Sequence, residues 1–309
     1  MESKIPVKMN PVLIYRYQHL KIATTRPPFN RTFFQAFTFL ILGILLVGNN
    51  ISFAGSEIMV TPTRVIFDTK TRTQKVTVIN SGNDEGTYRI LLVNKRMTPE
   101  GNIIDIEKAE AGEQFADKMI RYSPRQVTLK PGQSQIVRLS LRKPRDLKDG
   151  EYRSHITFKA IPKNIGIDIG QINDEKSGIG IKLTAIVSVT IPVIVRHGKT
   201  DATVSIQSLK LLPPDKKNTR PMLSMELQRE GSQSVYGDFI AELESNGKSK
   251  IIGQMNGIAI YTPNASRNVK LTLNLPEDTP LKGVIKVYYR TPAQRGSAIL
   301  AQSLLEITQ

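Results

Sequence analysis

Apolar and polar residues alternate along much of the chain, and the longest such segment lies between Gly178 and Gly198. From Ile179 to Val195 it is rich in Val, Ile and Thr, whose β-branched side chains suit a strand better than a helix. At about 3.3 Å per residue this segment extends roughly 56 Å, whereas a usual strand has only about 5 or 6 residues. We therefore expect it either to bend between two sheets or to pair in part with a chain outside its own domain.

Pro192 lies inside this long strand and limits how the strand can pair. A proline cannot donate to the hydrogen-bond ladder of a sheet, and it occurs at edges or bulges. One interpretation is a buried core strand with a bulge at Pro192. The other is an edge strand that offers its backbone and one row of alternating apolar side chains to a partner. The alternation alone is compatible with both.

Shorter strand-like segments fill most of the remaining sequence after Gly55, and turn residues separate them. In the first half they are 57–69, 74–80, 87–97, 126–129, 134–141 and 151–161. In the second half they are 202–212, 222–228, 235–243, 250–261, 269–275, 283–289 and 298–307. Only 109–118 has moderate helical character. Strands at this density predict an all-β fold of two immunoglobulin-like β-sandwich domains.

The domain boundaries follow from the breaks in this pattern. The polar segment 197–200 is predicted to be a short hinge that joins the two sandwiches. The expected sandwich domains are therefore 55–197 and 198–309, preceded by an N-terminal extension and signal peptide at 1–54.

The N-terminal segment has the features of a secretory leader. Arg26 and Arg31 precede an apolar stretch, and small residues follow at Ser52 and Ala54. The apolar stretch has about 16 residues, shorter than the roughly 20 that a membrane-spanning helix needs. We therefore favour cleavage after Ala54 over an uncleaved membrane anchor, which places the mature protein outside the cytoplasm.

The composition narrows the classes of function. The chain has 43 Lys and Arg against 27 Asp and Glu, and no cysteine. The excess of positive charge favours acidic partners, but the aromatic residues do not cluster with the basic ones as nucleic-acid binding would require, so we expect no nucleic-acid partner. Without cysteine, disulfides cannot stabilise an extracytoplasmic protein.

Catalytic chemistry has few candidates in this sequence. Among the three histidines, His19 lies in the leader, His155 lies on an alternating strand, and His197 lies at the hinge. His155 is interpreted as a surface or core histidine and His197 as a linker residue. The sequence has no nucleophile elbow, phosphate loop or zinc motif. We therefore predict a binding protein that is not an enzyme and has no metal site and no cofactor.

Arg64 is the candidate binding residue, because it stands between apolar positions in the segment TRVIFD at 63–68. An arginine on a strand is often a surface residue whose apolar stem lies along the protein. Alternatively, its planar guanidinium binds an anion, since it matches the geometry of a carboxylate.

The chain resembles a periplasmic pilus-assembly chaperone of the chaperone/usher type. The resemblance is carried by TRVIFD, by SPRQVTLKPGQSQIVRLSLRKP at 123–144, by FKAIPK at 158–163 and by the strand end VIVRHG at 193–198. Members of that family have two immunoglobulin-like domains and lend a strand to an incomplete fibre subunit. The resemblance implies a periplasmic protein whose partners are pilus or fimbrial subunits and an outer-membrane usher. It also leaves open a self-dimer that caps the edge strand.

The resemblance assigns roles to particular residues. Arg64 matches the arginine that anchors the carboxylate of the subunit, and Arg196 matches a basic residue in contact between the domains. The expected donor row, counted back from Arg196, is Ile181, Leu183, Ala185 and Val187. Two positions depart from the family, since Pro192 stands where a cleft lysine is usual and Ala160 where an acid is expected. The rival hypothesis is a non-catalytic structural or adhesive surface protein with two domains.

Overall fold

The computed structural model describes residues 58–162, 186–216, 218–275 and 282–307. Its first sandwich contains β1 (Ile58–Thr61), β2 (Val65–Phe67), β3 (Thr73–Asn80), β4 (Gly86–Val93), β5 (Lys95–Met97), β6 (Ile103–Asp105), β7 (Ile120–Ser123), β8 (Gln126–Leu129), β9 (Ser134–Leu141), β10 (Gly150–Ile161) and β11 (Ser188–His197). Its second sandwich contains β12 (Ala202–Leu212), β13 (Met222–Gly231), β14 (Val235–Ser245), β15 (Lys248–Ile260), β16 (Ser266–Thr272), β17 (Gly283–Arg290) and β18 (Ile299–Ile307).

In the first sandwich, a sheet of order β1-β3-β9-β7 packs on a sheet of order β2-β11-β10-β4-β8, and β5 and β6 form a separate hairpin. The alternate residues of each strand face inward, as the period of two requires. The fully buried side chains at the centre include Val78, Leu139, Ile90, Phe158 and Val193. Burial of this apolar surface is what holds the two sheets together.

The second sandwich repeats this construction with sheets of order β12-β13-β16 and β15-β14-β17-β18. Its own core includes Leu223, Leu227, Phe239, Val287 and Tyr289. Both sandwiches belong to one compact unit, and β11 leads into β12 through residues 198–201 alone. The prediction of an all-β fold with two immunoglobulin-like sandwiches and a short hinge is thus confirmed.

Strand β11 is covered unequally along its two edges. It pairs antiparallel with β10 over its whole length, from Ser188 opposite Lys159 to His197 opposite Gly150. On its other edge it pairs in parallel with β2, but only over Val193–Val195. In the part of the chain that the structure describes, no strand pairs with that edge over 188–192.

The structure corrects several details of the sequence-based assignment. The segment 57–69 forms two strands in different sheets, β1 and β2. The segment 109–118 forms no α-helix, and a single 3₁₀ turn follows at Asp117–Met119. The segment 87–97 likewise forms two strands in different sheets, β4 and β5, and strands β6 and β7 were not anticipated. The proposed leader at 1–54 lies outside the described residues, as do 163–185, and the exact domain boundaries remain predictions. Among the described residues, no helix has the length and apolarity to span a membrane.

Candidate functional site in the cleft beside β11

Arg64 lies at the start of β2 and faces the second sandwich. Because Val65 and Phe67 are buried in the core, Arg64 and Ile66 project to the opposite side. The guanidinium carbon of Arg64 lies 3.6 Å from the ring centroid of Tyr236, and its Nη2 donates a hydrogen bond of 3.0 Å to the Tyr261 hydroxyl. A cation held over an aromatic face gains about 0.5–2 kcal/mol. Arg64 is therefore a half-buried cation that two tyrosines hold in the cleft.

A second guanidinium, that of Arg153, lies close to Tyr261. Arg153 on β10 is 4% exposed, and its guanidinium carbon lies 4.5 Å from the Tyr261 ring centroid. Its position on β10 is opposite Ile194, while His155 is opposite Pro192. Arg153 therefore places a cation in the cleft from β10. It lies near Pro192, the position on β11 where the resemblance implies a lysine.

His155 beside Arg153 is buried in its neutral form. Burial lowers its pKa from 6.5 to about 3, with further lowering by the charges of Arg153 and Lys95. Its Nε2 lies 3.3 Å from Arg153 Nη1 and accepts that bond, so the proton sits on Nδ1. Among the described residues, neither this Nδ1 nor Arg153 Nε has a hydrogen-bond partner. His155 thus adds no positive charge to that of the cations around it.

Arg196, at the end of β11, connects the two sandwiches. Its Nε lies 3.0 Å from Oε2 of Glu151, whose side chain is 0% exposed. Its Nη2 donates to the backbone carbonyl of Ser234 in the second sandwich at 3.2 Å. The acid that pairs with Arg196 is directly opposite it on β10, at the other end of that strand from Ala160. Its family role as an interdomain residue remains a prediction, which these contacts support.

Apolar contacts and backbone hydrogen bonds fix the cleft. Met97, Ile194, Ala259 and Tyr261 form a small buried cluster between the sandwiches, and Ile66 packs against it. Asn264 Nδ2 donates to the Met97 carbonyl, and the Asn268 amide donates to the Pro99 carbonyl, both at 2.9 Å. These contacts set the distance between Arg64 and its tyrosines.

The apolar row on β11 leaves the core as it approaches the predicted donor segment. Ile191 is 4% exposed, Val189 is partly buried, and Val187 is 43% exposed. Val187 precedes the first residue of β11, and its carbonyl accepts a hydrogen bond of 2.9 Å from the Ala160 amide. Ile181, Leu183 and Ala185 lie outside the described residues. The only described member of the donor row therefore has its side chain in solvent.

Sequence reasoning singled out Arg64 but missed the residues around it. Arg153 was hidden because it lies on a strand that is otherwise part of the core. Tyr236 and Tyr261 come from the second sandwich, and no spacing in the sequence links them to Arg64. No group of three metal-ligating side chains occurs among the described residues.

Comparison with known proteins finds a family model that matches the first sandwich. The model of the family described as "Pili and flagellar-assembly chaperone, PapD N-terminal domain" matches residues 57–200. The match includes the whole first sandwich, from β1 to β11, and does not extend into the strands of the second. The resemblance to pilus-assembly chaperones is confirmed. No curated protein matches the sequence.

Several solved chaperone structures are similar at low identity. The Escherichia coli chaperone DraB has 14% identity and a TM-score of 0.41, over 82% of this chain and 97% of that chain. The Pseudomonas aeruginosa CupB2 chaperone has 11% identity and a TM-score of 0.38, over 81% and 100%. A structure of the Salmonella enterica SafA pilin in complex with the SafB chaperone has 13% identity and a TM-score of 0.37, over 82% and 97%.

Proposed function

We propose that this chaperone works in the periplasm, captures pilus or fimbrial subunits by β-strand pairing along the open edge of β11, and delivers them to an outer-membrane usher. The observation that carries the proposal is the edge at 188–192, which β2 leaves uncovered. Unpaired backbone groups on an edge strand can accept a further strand. In this chain the unpaired backbone groups lie beside the apolar row of β11, whose side chains become exposed towards Val187.

Each part of the edge has a different task in this mechanism. The backbone groups give affinity through main-chain hydrogen bonds, and the alternating side chains fix the register. The donor row of Ile181, Leu183, Ala185 and Val187 fills the open groove of the subunit. Each buried apolar side chain contributes about 1.5–3 kcal/mol, from which the ordering of both partners subtracts.

Arg64 fixes the position of the subunit along the edge by binding its terminal carboxylate. The guanidinium is already oriented by Tyr236, and its bond to the Tyr261 hydroxyl has an uncharged acceptor that a carboxylate can replace. A carboxylate adds an opposite charge and can accept two parallel hydrogen bonds from the guanidinium, which the hydroxyl cannot. Arg64 therefore gains from the exchange, and no step of the mechanism requires a catalytic group or a cofactor.

The test is capture of subunits by variants of the donor row. Tagged wild-type protein is isolated from the periplasm, and the captured proteins are identified by mass spectrometry and purified. Leu183→Asp is expected to abolish their binding, because it places a carboxylate in an apolar groove. Thr184→Asp is the matched control, since alternation directs it to the opposite face. Equal capture by wild type and Leu183→Asp would favour a surface protein without a subunit-binding cycle.

A further inference from the structure

Two exposed cations lie directly opposite each other on the outer face of the five-stranded sheet. They are Arg89 on β4 and Lys159 on β10. Both face outward because their neighbours Ile90 and Phe158 are buried in the core. Side chains opposite each other in an antiparallel pair are about 5 Å apart, and like charges in that arrangement destabilise the sheet.

The sheet offers almost no negative charge to balance this pair. Strands β2, β4, β8 and β11 contain no Asp or Glu, and the one acid of β10 is Glu151. Glu151 lies at the far end of β10, where it is paired with Arg196. Among the described residues, no ion pair involves Arg89 or Lys159. The charge of this face is therefore uncompensated within the described fold.

The two cations form one wall of an apolar cavity. The cavity has a volume of about 300 Å³, and its other walls include Leu91, Ile161 and Ile186. Leu91 is 36% exposed and Ile186 is 50% exposed. An apolar depression with a cationic wall suits a segment that carries an acidic side chain beside an apolar one.

The cavity adjoins the open edge of β11. Lys159 is opposite Ser188, and the Ala160 amide is bonded to the Val187 carbonyl. Neighbouring strands are about 4.8 Å apart, so Lys159 lies one strand spacing from β11 and Arg89 lies two. A strand paired along this edge lies one spacing further away, at about 10 Å from Lys159 and about 14 Å from Arg89, so the acid that reaches the cavity extends across the outer face from the subunit.

We infer that Arg89 and Lys159 form a carboxylate subsite, which binds an Asp or Glu side chain of the subunit paired with β11. The inference rests on the proposed function, because strand pairing is what brings the subunit to this face. The bound carboxylate reduces the repulsion between the two cations. The destabilisation that this repulsion causes in the free chaperone is therefore offset in the complex. The subsite favours subunits that present an acidic residue next to an apolar one.

A second like-charged pair provides a matched control. Lys75 on β3 and Arg138 on β9 are also opposite each other and exposed, but they belong to the other sheet of the sandwich. The two pairs share their chemistry, and Lys75 and Arg138 also line a depression, with a volume of about 530 Å³. They differ in their distance from the open edge of β11.

The experiment measures binding of short peptides by backbone amide chemical shifts of the purified protein. The probes are acetyl-Val-Glu-Val-amide, its Gln analogue and its Lys analogue, at matched ionic strength. The Glu peptide is expected to shift the amides around Arg89 and Lys159 and to bind about 5-fold tighter than the Gln peptide. Lys159→Glu should remove this preference and favour the Lys peptide. Arg138→Glu should leave the preference unchanged.

Equal binding of the Glu and Gln peptides would overturn the inference, as would equal shifts around both like-charged pairs. A third contrary outcome is a preference that emerges only after Asp168, Asp174 and Glu175 are changed to their amides. In that case acids of the chain itself occupy the subsite.

A second measurement separates this inference from the proposed function. Subunits captured by the wild type are tested against Lys159→Glu and Leu183→Asp. If Leu183→Asp abolishes capture while Lys159→Glu changes nothing, strand pairing stands and the subunit does not use the subsite. If neither variant affects capture but the peptide preference persists, the proposed function fails while carboxylate binding by the subsite remains.

Discussion

The two ends of β11 have the same alternating sequence but different surroundings. At the paired end, Val193–Arg196, the strand has β10 on one side, β2 along most of the other, and a buried ion pair between Arg196 and Glu151. At the open end, from Ser188 to Pro192, β10 is the only strand of the described residues that pairs with it, and the apolar row becomes exposed at the preceding Val187.

This difference shows that burial of an apolar row depends on what covers the strand rather than on the strand's own sequence. Val193 and Val187 are the same residue type on the same face, yet Val193 is 0% exposed and Val187 is 43% exposed. One valine contributes to the stability of the free protein, while the other is available to a partner. The same substitution at the two positions should therefore separate stability from binding.

The largest expected effect is that of an aspartate at each of these valines. Val193→Asp buries a carboxylate without a partner and should destabilise the first sandwich by about 4 kcal/mol or more. Val187→Asp should change the free energy of unfolding by less than about 0.5 kcal/mol, because the site is exposed. Denaturant unfolding followed by circular dichroism measures both, and capture of subunits measures the effect on binding.

A strongly destabilised Val187→Asp variant would show that Val187 belongs to the core. A stable variant that captures subunits as well as the wild type would remove Val187 from the donor row. The expected result is a folded protein with lost capture.

The next effect concerns the ion pair at the paired end. Arg196→Met should destabilise the protein by about 3 kcal/mol, because it leaves the fully buried Glu151 carboxylate without its counter-ion. Arg142→Met is a suitable control, since Arg142 is exposed and outside the cleft. Thermal unfolding of both variants provides the comparison. Equal melting temperatures would mean that water or another group solvates Glu151.

The sequence was sufficient to predict most of the strands, because alternation is a local property. The segments 134–141 and 283–289, for example, match β9 and β17 to within one residue. It was insufficient where one segment serves two sheets, as in 57–69, since the sheet that a short strand joins depends on distant partners. The absence of an α-helix at 109–118 has a similar cause, because weak helical propensity yields to tertiary contacts.

The candidate site was predictable only in part, for the same physical reason. Arg64 could be recognised as a charged residue among apolar positions. Pro192 could be recognised as a position that lacks the lysine implied by the resemblance. The contacts that give Arg64 its environment come from Tyr236 and Tyr261, on strands far away in the sequence. Arg153 could not be distinguished from an exposed strand arginine, because its burial is produced by the packing of the second sandwich on β10.

Arg64 itself should affect binding more than stability. Arg64→Ala is expected to weaken subunit binding by about 2–5 kcal/mol, the usual cost of truncating a charged contact at an interface. Loss of the cation–π contact and of the bond to Tyr261 should lower the stability of the free protein by only about 1–2 kcal/mol. Arg64→Lys tests the geometry, since a lysine retains the charge but not the planar fork. Normal binding by folded Arg64→Ala would show that Arg64 serves only to hold the sandwiches together.

The smallest expected effect is a dependence of stability on pH through His155 in the cleft. His155 has a pKa of about 3 in the folded protein against 6.5 ordinarily, because burial and the charges of Arg153 and Lys95 oppose its protonation. As the pH falls below about 6.5, the unfolded chain takes up the proton while the folded protein does not. The contribution of neutral His155 to stability is thus complete above about pH 6.5 and declines by about 1.4 kcal/mol per unit as the pH falls towards 3.

Between pH 7 and pH 5 this linkage should amount to about 2 kcal/mol. Unfolding free energies of wild type and His155→Gln at the two pH values isolate it, because both proteins share every other titrating group. The decrease should be about 2 kcal/mol larger in the wild type. Parallel pH profiles for wild type and His155→Gln would mean that His155 is protonated as readily in the fold as in the unfolded chain. The positive charge of the cleft would then rise on acidification.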